Sequence, residues 1–68
     1  MTTAAGAPDY VTTMALGHFR SWLSCGAENR ERFVRELWHI ATSGHDDTDR
    51  RGCRLALRHI NRCDRFSA

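Results

Sequence analysis

The apolar residues of this chain return every three or four positions, in three blocks separated by Gly26 and Gly44. That rhythm constrains the fold more than any other feature. It is the period of an α-helix, and no segment shows the two-residue alternation of a half-buried strand. In the first block Val11, Met14, Ala15, Phe19, Trp22 and Cys25 share one face, with Thr13, Arg20 and Ser24 opposite. Pro8 and Asp9 suit a helix start, where a missing N–H is harmless and a negative charge meets the positive end of the dipole. Gly26 is placed to stop this helix in the left-handed conformation.

The second block predicts a helix over about residues 28–43. Glu28 and Glu31 stand near its start. Phe33, Val34, Leu37, Trp38, Ile40 and Ala41 form its apolar face, and Arg32, Arg35, Glu36 and His39 its wet face. Gly44 is the expected left-handed stop. The segment HDDTD (residues 45–49) opens the third helix, with Asp46, Asp47 or Thr48 able to cap it. That helix is expected to reach about residue 64, with Cys53, Ala56, Leu57, Ile60 and Cys63 inward. Three amphipathic helices on short links predict an all-α fold, a compact three-helix bundle. The expected domain spans residues 8–68, and the small, unpatterned residues 1–7 read as a flexible N-terminal tail.

A chain of 68 residues hides only about 60% of its unfolded surface. Its core then supplies roughly 3–5 kcal/mol. That leaves little strength for strained catalytic geometry and makes a partner or a second copy a natural source of added stability. No nucleophile–base–acid spacing and no glycine-rich phosphate loop is present, so the chain reads as non-catalytic, with no cofactor. The first residues lack the basic and apolar regions of a secretory signal, and no apolar run approaches the ~18 residues of a membrane span. A cytoplasmic protein is the expectation. Cys25, Cys53 and Cys63 are odd in number, which favours reduced thiols acting as small apolar groups.

All ten basic residues are arginine. Residues 1–49 hold four Arg and seven Asp or Glu, a balance of −3; residues 50–68 hold six Arg and one Asp, a balance of +5, giving the net +2. Within the third helix Arg51, Arg54, Arg58, Arg62 and Arg65 follow at steps of three and four. At about 100° per residue they fall within an arc of roughly 80°, nearly opposite the apolar set. Like charges so spaced repel by a few tenths of a kcal/mol per pair. Three things can compensate: nucleic-acid phosphates, with steep salt dependence; carboxylates on a protein partner; or the chain's own Glu28, Glu31 and Glu36 and solvent. The first would gain from a helix-turn-helix, but a recognition helix opening with Asp46, Asp47 and Asp49 would set acids against phosphates. The stripe also lacks aromatics for base stacking.

Metal sites are poorly supported. There is no C-x-x-C, and His59 with Cys63 would need Cys25, His18 or His39 from distant positions. The run DDTDRRG lacks the rhythm and closing glutamate of a calcium loop, and helix capping explains it better. His18 falls on the apolar face between Met14 and Trp22, where a histidine usually bonds to backbone or another side chain. Of the six aromatics, Tyr10 falls off the first helix's apolar centre, as do Leu16 and Leu23. Leu55 lies beside the arginines, and Phe66 lies past the expected helix end. Apolar groups beside arginine are common at protein interfaces.

In size and character the chain resembles small inhibitors encoded by phages and mobile elements, anti-CRISPR proteins among them. Such a likeness implies steric blocking of a larger assembly, which can be a nucleoprotein complex. The net +2 has the wrong sign for a DNA mimic. The expected function is a protein-binding inhibitor or adaptor using Arg51, Arg54, Leu55, Arg58, Arg62 and Arg65. The alternative is a small nucleic-acid-binding regulator using the same helix, and a structural homodimer subunit is a third reading.

Overall fold

The computed structural model describes residues 9–67, with side chains through residue 64. The described residues form three helices: α1 (Tyr10–Ser24), α2 (Ala27–Ser43) and α3 (Asp47–Ser67). The all-α three-helix architecture is as the periodicity predicts. The expected tail over residues 1–7 lies outside the described residues. α3 continues past residue 64 because no glycine or proline follows to stop it.

Asp9 caps α1. Its backbone is extended, its Oδ1 accepts from the Thr12 N–H at 2.7 Å, and its carbonyl accepts from the Thr13 hydroxyl at 3.1 Å. The Thr12 backbone N–H, and with it the Thr12 side chain, holds the Asp9 carboxyl below its ordinary range. At α3 the cap falls to Asp46, whose Oδ1 accepts from the Thr48 N–H at 3.2 Å.

The left-handed stops do not form. Gly26 has φ −70° and ψ 160°, Gly44 has φ −63° and ψ 148°, and no described residue has positive φ. At Gly26 the reason is link length. Only Cys25 and Gly26 separate α1 from α2, and Gly26 must already be extended to serve as the N-cap of α2. The Cys25 and Gly44 N–H groups serve some of the carbonyls at the ends of α1 and α2, and arginine serves others. Arg30 donates to the carbonyls of Trp22 and Leu23 at 3.3 and 3.2 Å. Arg50 donates to the carbonyl of Gly44 at 2.6 Å. Each is the fourth residue of its helix and reaches back across the link it has just left. Arg30 also stands 4.4 Å over the Trp22 ring, adding a cation–π contact.

α3 is the central element. It contributes Cys53, Ala56, Leu57 and Ile60 to a buried core completed by Ala15, Trp22, Leu37 and Ala41. α1 and α2 each lie along α3 and scarcely meet one another. Small residues bring α1 and α3 close: a Cβ on buried Gly52 would stand 2.7 Å from the Met14 sulfur. This arrangement corrects the expectation for Trp38, which is 56% exposed. Trp38 sits about 100° around the helix from the middle of α2's apolar face. Because α2 packs on α3 and barely on α1, the described helices leave that flank open.

Candidate interaction surface

The arginines of α3 divide into two groups. Arg50 and Arg51 both meet Asp47, at 3.3 and 3.1 Å, so the first turn neutralises part of its own charge. Arg54, Arg58 and Arg62 are exposed and make no hydrogen bond or ion pair among the described residues. The glutamates of α2 make no ion pair with them, so compensation among the described residues is confined to Asp47. Leu55 is half-buried and packed against the core, offering only part of its side chain to a partner. The side chain of Arg65 lies outside those described, as does that of Phe66.

Beside this ridge lies a feature that the sequence pattern did not reveal. An open groove of about 960 Å³ runs between α2 and α3, lined from Ala27 to Trp38 on one helix and from Arg54 to Asp64 on the other. Its floor is apolar: Trp22, Val34, Leu57 and Ile60. Trp38 and the pair Arg54 and Arg58 line it as well, and Arg30, Glu31, Asn61 and Asp64 complete it. Both tryptophans thus belong to one surface. Trp22 holds the floor, stacked on Phe19 at 6.0 Å between ring centroids, and Trp38 stands in solvent. The signal available in the sequence was that Trp38 falls at the edge of its helix face, with the charged stripe next along the chain.

Tyr10, Leu16 and Leu23 are exposed, as expected. They lie on α1 and do not line the groove.

The remaining reactive groups sit elsewhere. The Cys53 sulfur lies 3.9 Å from His18 Nε2, a spacing that could suggest an activated thiol. Cys53 is only 1% exposed, however, and burial first, then the Asp49 charge, pushes its thiol up. A buried protonated thiol is a poor nucleophile. His59 packs its ring 5.9 Å from that of Phe19. Among the described residues no three His, Cys, Asp or Glu side chains gather to hold a metal ion. None of the three cysteines is in a disulfide. Asp46 and Asp47 are exposed at the start of α3, where a recognition helix would approach DNA. No described helix is long and apolar enough to cross a membrane. The chain matches no family model, no curated protein and no solved structure, and the surface chemistry of α2 and α3 therefore carries the functional reading.

Proposed function

We propose that this chain is a non-catalytic protein-binding module, an inhibitor or adaptor that acts by covering a surface of a larger complex. One observation carries the reading: Trp38 is 56% exposed on an apolar groove that it shares with unpaired Arg54 and Arg58. Tryptophan and arginine are the residues most enriched at binding hot spots, where a large ring fills a pocket and a guanidinium forks onto a carboxylate. The mildly basic charge suits steric blocking of the kind used by anti-CRISPR proteins, without mimicry of nucleic acid.

The test is affinity capture from host lysate with the tagged full chain, with and without nuclease, and identification of what is retained. A defined protein that survives nuclease supports the module. Recovery that vanishes with nuclease overturns it in favour of a nucleic-acid-binding regulator, with Arg54, Arg58 and Arg62 as phosphate contacts.

A further inference from the structure

We infer that the α2–α3 groove receives an acidic amphipathic helix of the partner, its carboxylates over Arg54 and Arg58 and its apolar residues on the floor. The inference rests on the protein-binding reading and names the chemistry of the partner. Length is the first argument. The groove spans residues 27 to 38 of α2, about 16 Å or three turns at 1.5 Å per residue. That matches a helix presenting apolar anchors at i, i+3 or i+4, and i+7, the usual form of helix-in-groove recognition. The floor of Trp22, Val34, Leu57 and Ile60 is apolar along this run.

Charge is the second argument. Arg54 and Arg58 stand one turn apart, exposed and unpaired. Carboxylates spaced i, i+4 on an incoming helix would meet them in register. Asp64 also lines the groove, ten residues beyond Arg54 and so about 15 Å along α3; Glu31 adds a second carboxylate to the lining, and Arg30 is engaged by the Trp22 and Leu23 carbonyls. The acidic residues of the partner therefore belong at the Arg54–Arg58 end, and a uniformly acidic helix would be repelled at the other. A second copy of this chain does not fit. None of its described helices carries two carboxylates at i, i+4 to meet Arg54 and Arg58 in register.

The probe is a yeast-displayed library of 16-residue helices. Three apolar anchors are varied among Leu, Ile, Phe and Met, and the flanking positions among Glu, Gln and Lys. It is selected on the full chain at ~0.15 M salt. The expected clones carry an excess of Glu over Lys at positions one turn apart. They lose at least tenfold in affinity for Trp38→Ala and for the Arg54→Glu/Arg58→Glu double variant, and changing their glutamates to lysine restores binding to the double variant. Both variants alter exposed side chains, and circular dichroism checks that their helices persist. Clones without a glutamate excess, or clones that bind the double variant as well as the wild type, overturn the acidic partner. If those same clones still need Trp38, the protein-binding reading of the groove stands. A library that yields no Trp38-dependent clone overturns the groove as a docking site. Displacement of the clones by a 24-base-pair DNA duplex at the same salt assigns the arginines to phosphate and overturns the inference.

Discussion

Gly44→Ala is a sharp test of how the chain is held together. Gly44 has φ −63° and ψ 148°, a conformation open to any L-residue. On backbone preference alone, alanine there should stabilise the protein by about 0.4–1 kcal/mol through the unfolded state. The packing predicts the opposite. A Cβ at this position would stand 2.6 Å from the Ile40 carbonyl oxygen and 3.1 Å from Ile40 Cγ2. That oxygen belongs to the backbone and accepts the Gly44 N–H at 2.8 Å, so it has no rotamer by which to retreat. Relieving the clash shifts Gly44, weakening this bond and the 2.6 Å bond from Arg50 to the Gly44 carbonyl. A lost neutral hydrogen bond costs ~1 kcal/mol and a charged one somewhat more. The Arg50 side chain is 31% exposed, and water replaces part of its bond. Set against the entropic gain, the net loss is about 1–2 kcal/mol, or a Tm lowered by roughly 4–16 °C in a domain of this size. Thermal and urea unfolding followed at 222 nm reads this directly. Gly26→Ser is the control. Its backbone angles are similar, nothing lies within 4 Å of a Cβ there, and a serine hydroxyl can cap α2. It should be neutral or slightly stabilising. If Gly44→Ala matches or exceeds the wild type in stability, the close approach of Gly44 to Ile40 is not a feature of the folded chain.

Two titrating groups give further expectations. Cys53 is buried and its thiol is raised above the ordinary 9.0, so the unfolded thiol ionises first. Stability from this group is complete below that value and declines as pH rises past it. Ellman's reagent should modify Cys53 only as fast as the protein opens, and reaction of Cys53 in the native protein as fast as in urea would contradict its burial. Asp9 is lowered from 3.8, so its ionised cap stabilises α1 above that value and ceases to do so as pH falls through the lower folded value. The stability difference between wild type and Asp9→Asn, measured from pH 7 to pH 3, should shift against the wild type only in that acid range, and a constant difference would refute the cap.

The helices were legible because residues such as Leu37, Ala41, Ala56 and Ile60 sit at the centre of their faces, where any packing partner buries them. Trp38 was not. A residue about 100° from the centre is buried or bare according to where the third helix lies, and that is a tertiary fact absent from periodicity. The glycine stops misled for a related reason. Pattern reading assumes that each helix end satisfies its own carbonyls, whereas Arg30 and Arg50 do so from the next helix. The stripe itself was visible in the spacing of Arg54, Arg58 and Arg62. Its lack of carboxylate partners required knowing that Glu31 lines the same groove and still makes no ion pair with them.

We propose the α3 ridge and its groove as the protein-binding face, beyond any effect of general charge. Nuclease-treated capture with three baits tests it: wild type, Arg54→Glu/Arg58→Glu/Arg62→Glu, and the charge-matched Arg20→Glu/Arg32→Glu/Arg35→Glu, whose sites are exposed on α1 and α2 away from the ridge. The account predicts that the matched bait retains the same protein as the wild type and that the ridge bait loses it, with all three equally helical. Equal retention by the ridge bait, or equal loss by both variants, would contradict it.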